Sequence, residues 1–100
     1  MLFNRVRGRD IEQFATELAQ DFAKAYPLAD AQGDRNTLKK LARAIDDACG
    51  RAAAFQKEKK LGVYGKAKLG TTFKWELKSH GYRDDFIDEF TRKLLLHLSG

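Results

Sequence analysis

The most constraining feature of this chain is a stripe running from Leu38 to Phe55. Leu38, Leu41, Ile45, Ala48, Ala52 and Phe55 follow one another at spacings of 3, 4, 3, 4 and 3. That is the seam of a helix packed along its length against other helices. Ala42, Ala44, Ala48, Ala52, Ala53 and Ala54 add intrinsic helix propensity, so composition and periodicity agree. Asn36 or Thr37 can cap this helix, which should run over about residues 37–60. Lys57, Lys59 and Lys60 then suit the negative end of its dipole. Gly62 is placed to be the left-handed residue that ends it.

The flanking segments read as shorter amphipathic pieces laid against this long central helix. Asp10 is an N-cap candidate with Gln13 at the capping-box position. Ile11, Phe14, Leu18, Phe22 and Tyr26 then form a stripe, and Pro27 stops the helix because the residue before a proline avoids helical angles. Asp30, Gly33, Asp34 and Asn36 mark the connector to the long helix. Near the C-terminus, Asp84 or Asp85 caps a helix with acidic residues first (Asp88, Glu89) and basic ones later (Arg92, Lys93). Its stripe is Ile87, Phe90, Leu94, His97 and Leu98.

Residues 66–79 admit two readings. From Lys68 to Lys78 apolar and β-branched residues alternate with polar ones, as in a half-buried strand. Leu69, Phe73 and Leu77 equally make one face of a helix. Helix is favoured because Gly81 can take a left-handed terminating position with Tyr82 folding back on Leu77. A lone strand would also find no partner in this chain. Gly65 and Gly70 weaken the first turns, so the helix could start as late as Thr71. The expected fold is all-α: a compact bundle of about four helices, the third (~66–79) the least certain and alternatively a strand.

The chain has 100 residues, about one domain. Residues 1–9, with Arg5, Arg7 and Arg9, form a candidate flexible basic arm. Mean hydropathy is −0.55 and no apolar run approaches the ~20 residues of a membrane span. The first residues lack the apolar stretch of a secretory signal. The single cysteine, Cys49, has no intrachain partner for a disulfide. Together these point to a cytoplasmic protein without membrane contact.

Net charge is +5, and residues 57–78 hold seven lysines against two glutamates. Lys57, Lys59, Lys60, Lys66, Lys68, Lys74 and Lys78 interleave with Tyr64, Phe73 and Trp75. Lysines neutralise phosphates and an exposed aromatic stacks on a base, so this segment is a candidate nucleic-acid site with Tyr64 or Trp75 as the stacking residue. Against it, lysines keep a short bundle soluble, Phe73 and Trp75 suit a core, and arginine, the commoner reader of bases and phosphates, is scarce here. The last helix does not read as a recognition helix, because Asp84, Asp85, Asp88 and Glu89 at its start would repel phosphate.

Catalytic signals are weak. His80 lies beside the turn glycine and reads as exposed. His97 lies on the apolar stripe and reads as a core residue. Neither has metal-ligand spacing with Cys49, which suits a small packing residue. No phosphate-cradling loop or nucleophile elbow is present. The expected function is therefore non-catalytic binding without a cofactor. The leading form is a protein-interaction or regulatory adaptor domain, with self-association as one of its modes. The alternative is nucleic-acid binding through residues 57–78.

Overall fold

The computed structural model describes residues 8–27 and 35–98, with the backbone alone for 35–37. It contains α1 (Gly8–Ala25), α2 (Arg35–Lys59), α3 (Val63–Ser79) and α4 (Asp84–Leu98), and no strand among the described residues. The all-α bundle expected from periodicity is the architecture found, and the alternating segment is helical from Val63 onward. The Cα radius of gyration, 13.8 Å, is close to the ~13 Å of a compact domain of this length.

The helices run alternately up and down and close into a ring in which α1 and α4 each touch both α2 and α3. The ring of Phe14 stacks on that of Phe55 at 4.0 Å, and Asp21 meets Arg51 at 2.9 Å, so α1 and α2 are antiparallel. Glu12 meets Lys68 at 2.9 Å and Ile11 lies beside Gly65, so α1 and α3, which share the broadest contact, are parallel. Gly70 lies against Leu95 while Lys74 pairs with Asp88, so α3 and α4 are antiparallel.

The large core side chains come from three helices. Leu18 and Phe22 of α1, Leu69, Phe73 and Leu77 of α3, and Ile87, Phe90, Leu94 and Leu98 of α4 are buried. The ring of Phe22 lies 4.7 Å from that of Phe90, which meets Phe73 edge-on at 5.0 Å. The α2 contribution to the buried set is small: Ala44, Ala48, Cys49 and Ala52. Small side chains let α2 lie close, as its stripe predicts, with Leu41, Ile45 and Phe55 half-buried along it. Leu38, assigned to the same seam, is 55% exposed. The last residue of α1, Ala25, sits level with Lys40–Ala44 of α2, so Leu38 overruns the helix it would have packed on.

The helix ends depart from expectation in instructive ways. Asp10 and Asn36 lie inside helices that begin at Gly8 and Arg35, and Gln13 reaches Glu17 instead of a cap. In α4 the carbonyl of Arg83 accepts from the Ile87 N–H at 2.9 Å, which places the N-cap at Arg83 and both aspartates in the first turn. Lys60, not Gly62, is the left-handed residue after α2, with φ 52°. Gly62 has φ −86° and opens α3 instead. The reason is Leu61: the residue after the left-handed one folds back on the helix and wants to be apolar. Leu61 is 7% exposed, and its N–H donates to the Gln56 carbonyl at 3.1 Å.

The α3 end uses the same device and matches expectation. Gly81 has φ 92°, its N–H donates to the Lys78 carbonyl at 3.0 Å, and the buried Tyr82 donates its N–H to the Leu77 carbonyl at 3.4 Å. Gly65 and Gly70 do not delay the start of α3. They lie on its buried face, where a Cβ would come 3.2 Å from Leu61 and 3.1 Å from Leu95 respectively. Both are points of close helix approach.

Candidate functional site

The seven lysines of residues 57–78 do not share one surface. Lys57, Lys59, Lys60 and Lys66 flank the α2–α3 joint in sequence, near the exposed Val63 and Tyr64, and none forms an ion pair with a described residue. Lys68 turns toward α1. Its ammonium lies 2.9 Å from Glu12 and 5.9 Å from the centre of the Tyr64 ring. The hydrogen bond to Glu12 raises its pKa above the ordinary lysine value. Lys74 and Lys78 face α4, where Asp88 and Asp84 hold them at 3.0 and 3.5 Å. Arg5 and Arg7 of the candidate arm lie outside the described residues, and Arg9 belongs to the first turn of α1.

Trp75 departs furthest from a core assignment. It is 65% exposed, whereas Phe73 is fully buried. A helix turns about 100° per residue, so positions 73 and 75 point to opposite sides. Leu69, Phe73 and Leu77 take the inside and Trp75 is left on the outer face. There it borders a groove of about 420 Å³ between α3 and α4, with Thr71 and Ile87 inside it. The ion pairs Lys74–Asp88 and Lys78–Asp84 cross this groove as two rungs. The Lys78 ammonium sits 6.0 Å from the centre of the Trp75 ring, which helps fix the indole orientation.

The pairing of these aspartates with the lysines was not expected, although the sequence carries a signal for it. Lys74 and Asp88 are equidistant from the turn at Gly81, as are Lys78 and Asp84. In an antiparallel helical hairpin such positions face each other.

The remaining candidates have ordinary structural roles. His80 is exposed at the C-cap of α3. His97 is also exposed, a correction to its place on the buried stripe. The α4 stripe runs through Thr91, Leu94 and Leu98, and the His97 Nδ1 lies 3.0 Å from the Lys93 carbonyl. Asp85 pairs with Arg83, and Glu89 with Arg92 at 2.9 Å. Burial pushes the Cys49 thiol pKa up, so the thiol is held protonated and inaccessible. No group of three or more acidic, histidine or cysteine side chains is arranged to hold a metal among the described residues. No described helix is long and apolar enough to cross a membrane. Comparison with protein-family models, with curated proteins and with solved structures found no match to this chain.

Proposed function

We propose that this chain is a small non-catalytic protein-interaction domain, of the adaptor or regulatory kind, that receives its partner on the α3–α4 face around Trp75. One observation carries this reading: the only tryptophan stands 65% exposed beside a groove crossed by two lysine–aspartate ion pairs. Tryptophan offers a large apolar body and an N–H donor, and such residues with a charged rim dominate binding energy at protein interfaces. The carboxylates of Asp84 and Asp88 neutralise the adjacent lysines, which disfavours a phosphate backbone as the occupant. The buried, unpaired Cys49 suits a reducing, cytoplasmic setting.

The test is a photocrosslinking residue placed at Thr71, inside the groove, and at Glu17 on the exposed side of α1, in the native host. A discrete protein adduct from position 71 and none from position 17 is the expected result. Equal labelling from both positions, or none from 71, overturns the reading.

A second reading rests on the α2–α3 corner. There Lys57, Lys59, Lys60 and Lys66 are free of ion pairs with described residues, and Tyr64 is 73% exposed. This is the smaller remainder of the nucleic-acid site expected over residues 57–78. Binding of mixed-sequence nucleic acid with a steep salt dependence, flattened by alanine at these four lysines, would favour it. No binding at low salt would remove it.

A further inference from the structure

The outer face of α3 and α4 is its own complement in charge. Lys74 and Lys78 form a positive column on α3, and Asp84 and Asp88 a negative column on α4, paired at 3.0 and 3.5 Å at two successive heights. Two orientations of a two-fold axis lying in this face can be compared. An axis running across the helices lays lysine over lysine and aspartate over aspartate. An axis running along the boundary between α3 and α4 lays each positive column over the negative column of the other copy, height for height. The two ion pairs of each copy then become two four-charge clusters. Isologous contacts of this type place one patch against itself.

We propose that the occupant of the groove is a second copy of this chain, docked about a two-fold axis parallel to α3 and α4. This rests on the reading of the Trp75 face as an interaction surface and names its partner. In this arrangement the α3 side of one copy lies over the α4 side of the other, which carries each Trp75 indole toward the mouth of the opposite groove. Each indole starts 65% exposed, and its N–H has no hydrogen-bond partner among the described residues. The surrounding charges are exposed, so they select orientation more than they supply affinity, and salt weakens the pairing. A uniformly acidic or uniformly basic partner would meet one favourable column and one repulsive one.

The test uses the full chain in sedimentation equilibrium from about 1 μM to about 1 mM, the range of weak to moderate dimers. Trp75 is the only tryptophan, so its emission reports the same event directly. The expected result is a monomer–dimer equilibrium with a blue shift on association, and a dissociation constant raised on the order of 30-fold by Trp75→Ala. Two charge-reversed proteins, Lys74→Glu/Lys78→Glu and Asp84→Lys/Asp88→Lys, should each be monomeric and helical. Their equimolar mixture should restore a one-to-one dimer.

A monomer at every concentration overturns the second-copy assignment. So does a dimer that ignores Trp75→Ala, or a mixture of folded variants that stays monomeric. The Thr71 crosslink separates this failure from that of the wider reading. An adduct with a different protein would keep the interaction face and reject self-docking, whereas absence of any adduct rejects both.

Discussion

The phenol of Tyr82 donates a 2.7 Å hydrogen bond to the backbone carbonyl of Tyr26. That single contact ties the α3–α4 joint to the end of α1, across 56 residues of sequence. Both residues are buried, so neither group has water as a substitute. Tyr82→Phe should therefore cost about 1 kcal/mol in urea denaturation, because the Tyr26 carbonyl loses its buried donor. The same residue sets part of the alkaline limit. Burial raises the Tyr82 pKa, so the folded state holds the phenolic proton more tightly than the unfolded chain does. Its contribution is complete below the unfolded value of about 10 and is lost as pH rises through the folded value. Tyr82→Phe should flatten the fall in melting temperature above about pH 10.

The two helix joints make a matched pair for testing backbone strain. Both place a residue in the left-handed region, at φ 52° for Lys60 and 92° for Gly81. Only glycine adopts that region without a steric penalty, on the order of 1–2 kcal/mol for other residues. Lys60→Gly should stabilise the protein by up to about 1 kcal/mol, and Gly81→Ala should destabilise it by about 1 kcal/mol or more. Chemical denaturation of both variants checks the opposite signs.

Glycines inside the helices should also split by environment. Gly50 lies in the middle of α2, and a Cβ there would meet nothing within 4 Å. Gly50→Ala should stabilise by about 0.5–1 kcal/mol through reduced unfolded-state freedom. At Gly65 a Cβ would crowd Leu61 Cδ2 and Cβ at 3.2 and 3.3 Å and Ile11 Cδ1 at 3.4 Å. Leu61 is fixed by the joint it closes, so α1 and α3 must separate slightly. Gly65→Ala should destabilise by about 1–3 kcal/mol despite better helix propensity. Parallel thermal melts of the two variants decide it.

Thr91 presents a buried hydroxyl whose Oγ1 has no hydrogen-bond partner among the described residues. Thr91→Val keeps the shape and removes the desolvated polar atom. The expected gain is about 1 kcal/mol in equilibrium unfolding. A loss of stability would mean that the hydroxyl is satisfied in solution.

Much of the fold was legible because apolar spacing and chain punctuation agreed. The spacing from Ile11 to Tyr26 and the proline after it mark α1. The alanine-rich stripe marks α2, and Gly81–Tyr82 marks the joint before α4. Within the helices the departures come from one limit: a local signal does not say which face is covered. Gly65 and Gly70 looked like weak points because a bare sequence does not show that Ile11 and Leu95 press against them. His97 follows Leu94 by three residues, but the packed line continues through Leu98 at four. The strand-like alternation of residues 69–77 arose because Trp75 is apolar at a position the helix exposes. The residue that obscured the secondary structure is thus the one the candidate site is built on.

The broad parallel pairing of α1 with α3 has a consequence for the order in which this molecule assembles. These helices are not consecutive; all of α2 lies between them. The hairpin of α3 and α4 can close through a contact between consecutive helices and one tight joint, a short search along the chain. Seating Ile11 against Gly65 instead requires the intervening chain to double back first, which is the slower loop to close. Folding should therefore begin in the α3–α4 hairpin, with α1 seated on α3 later. A disturbance at the α1–α3 contact should be felt more in how fast the chain opens than in how fast it begins to fold.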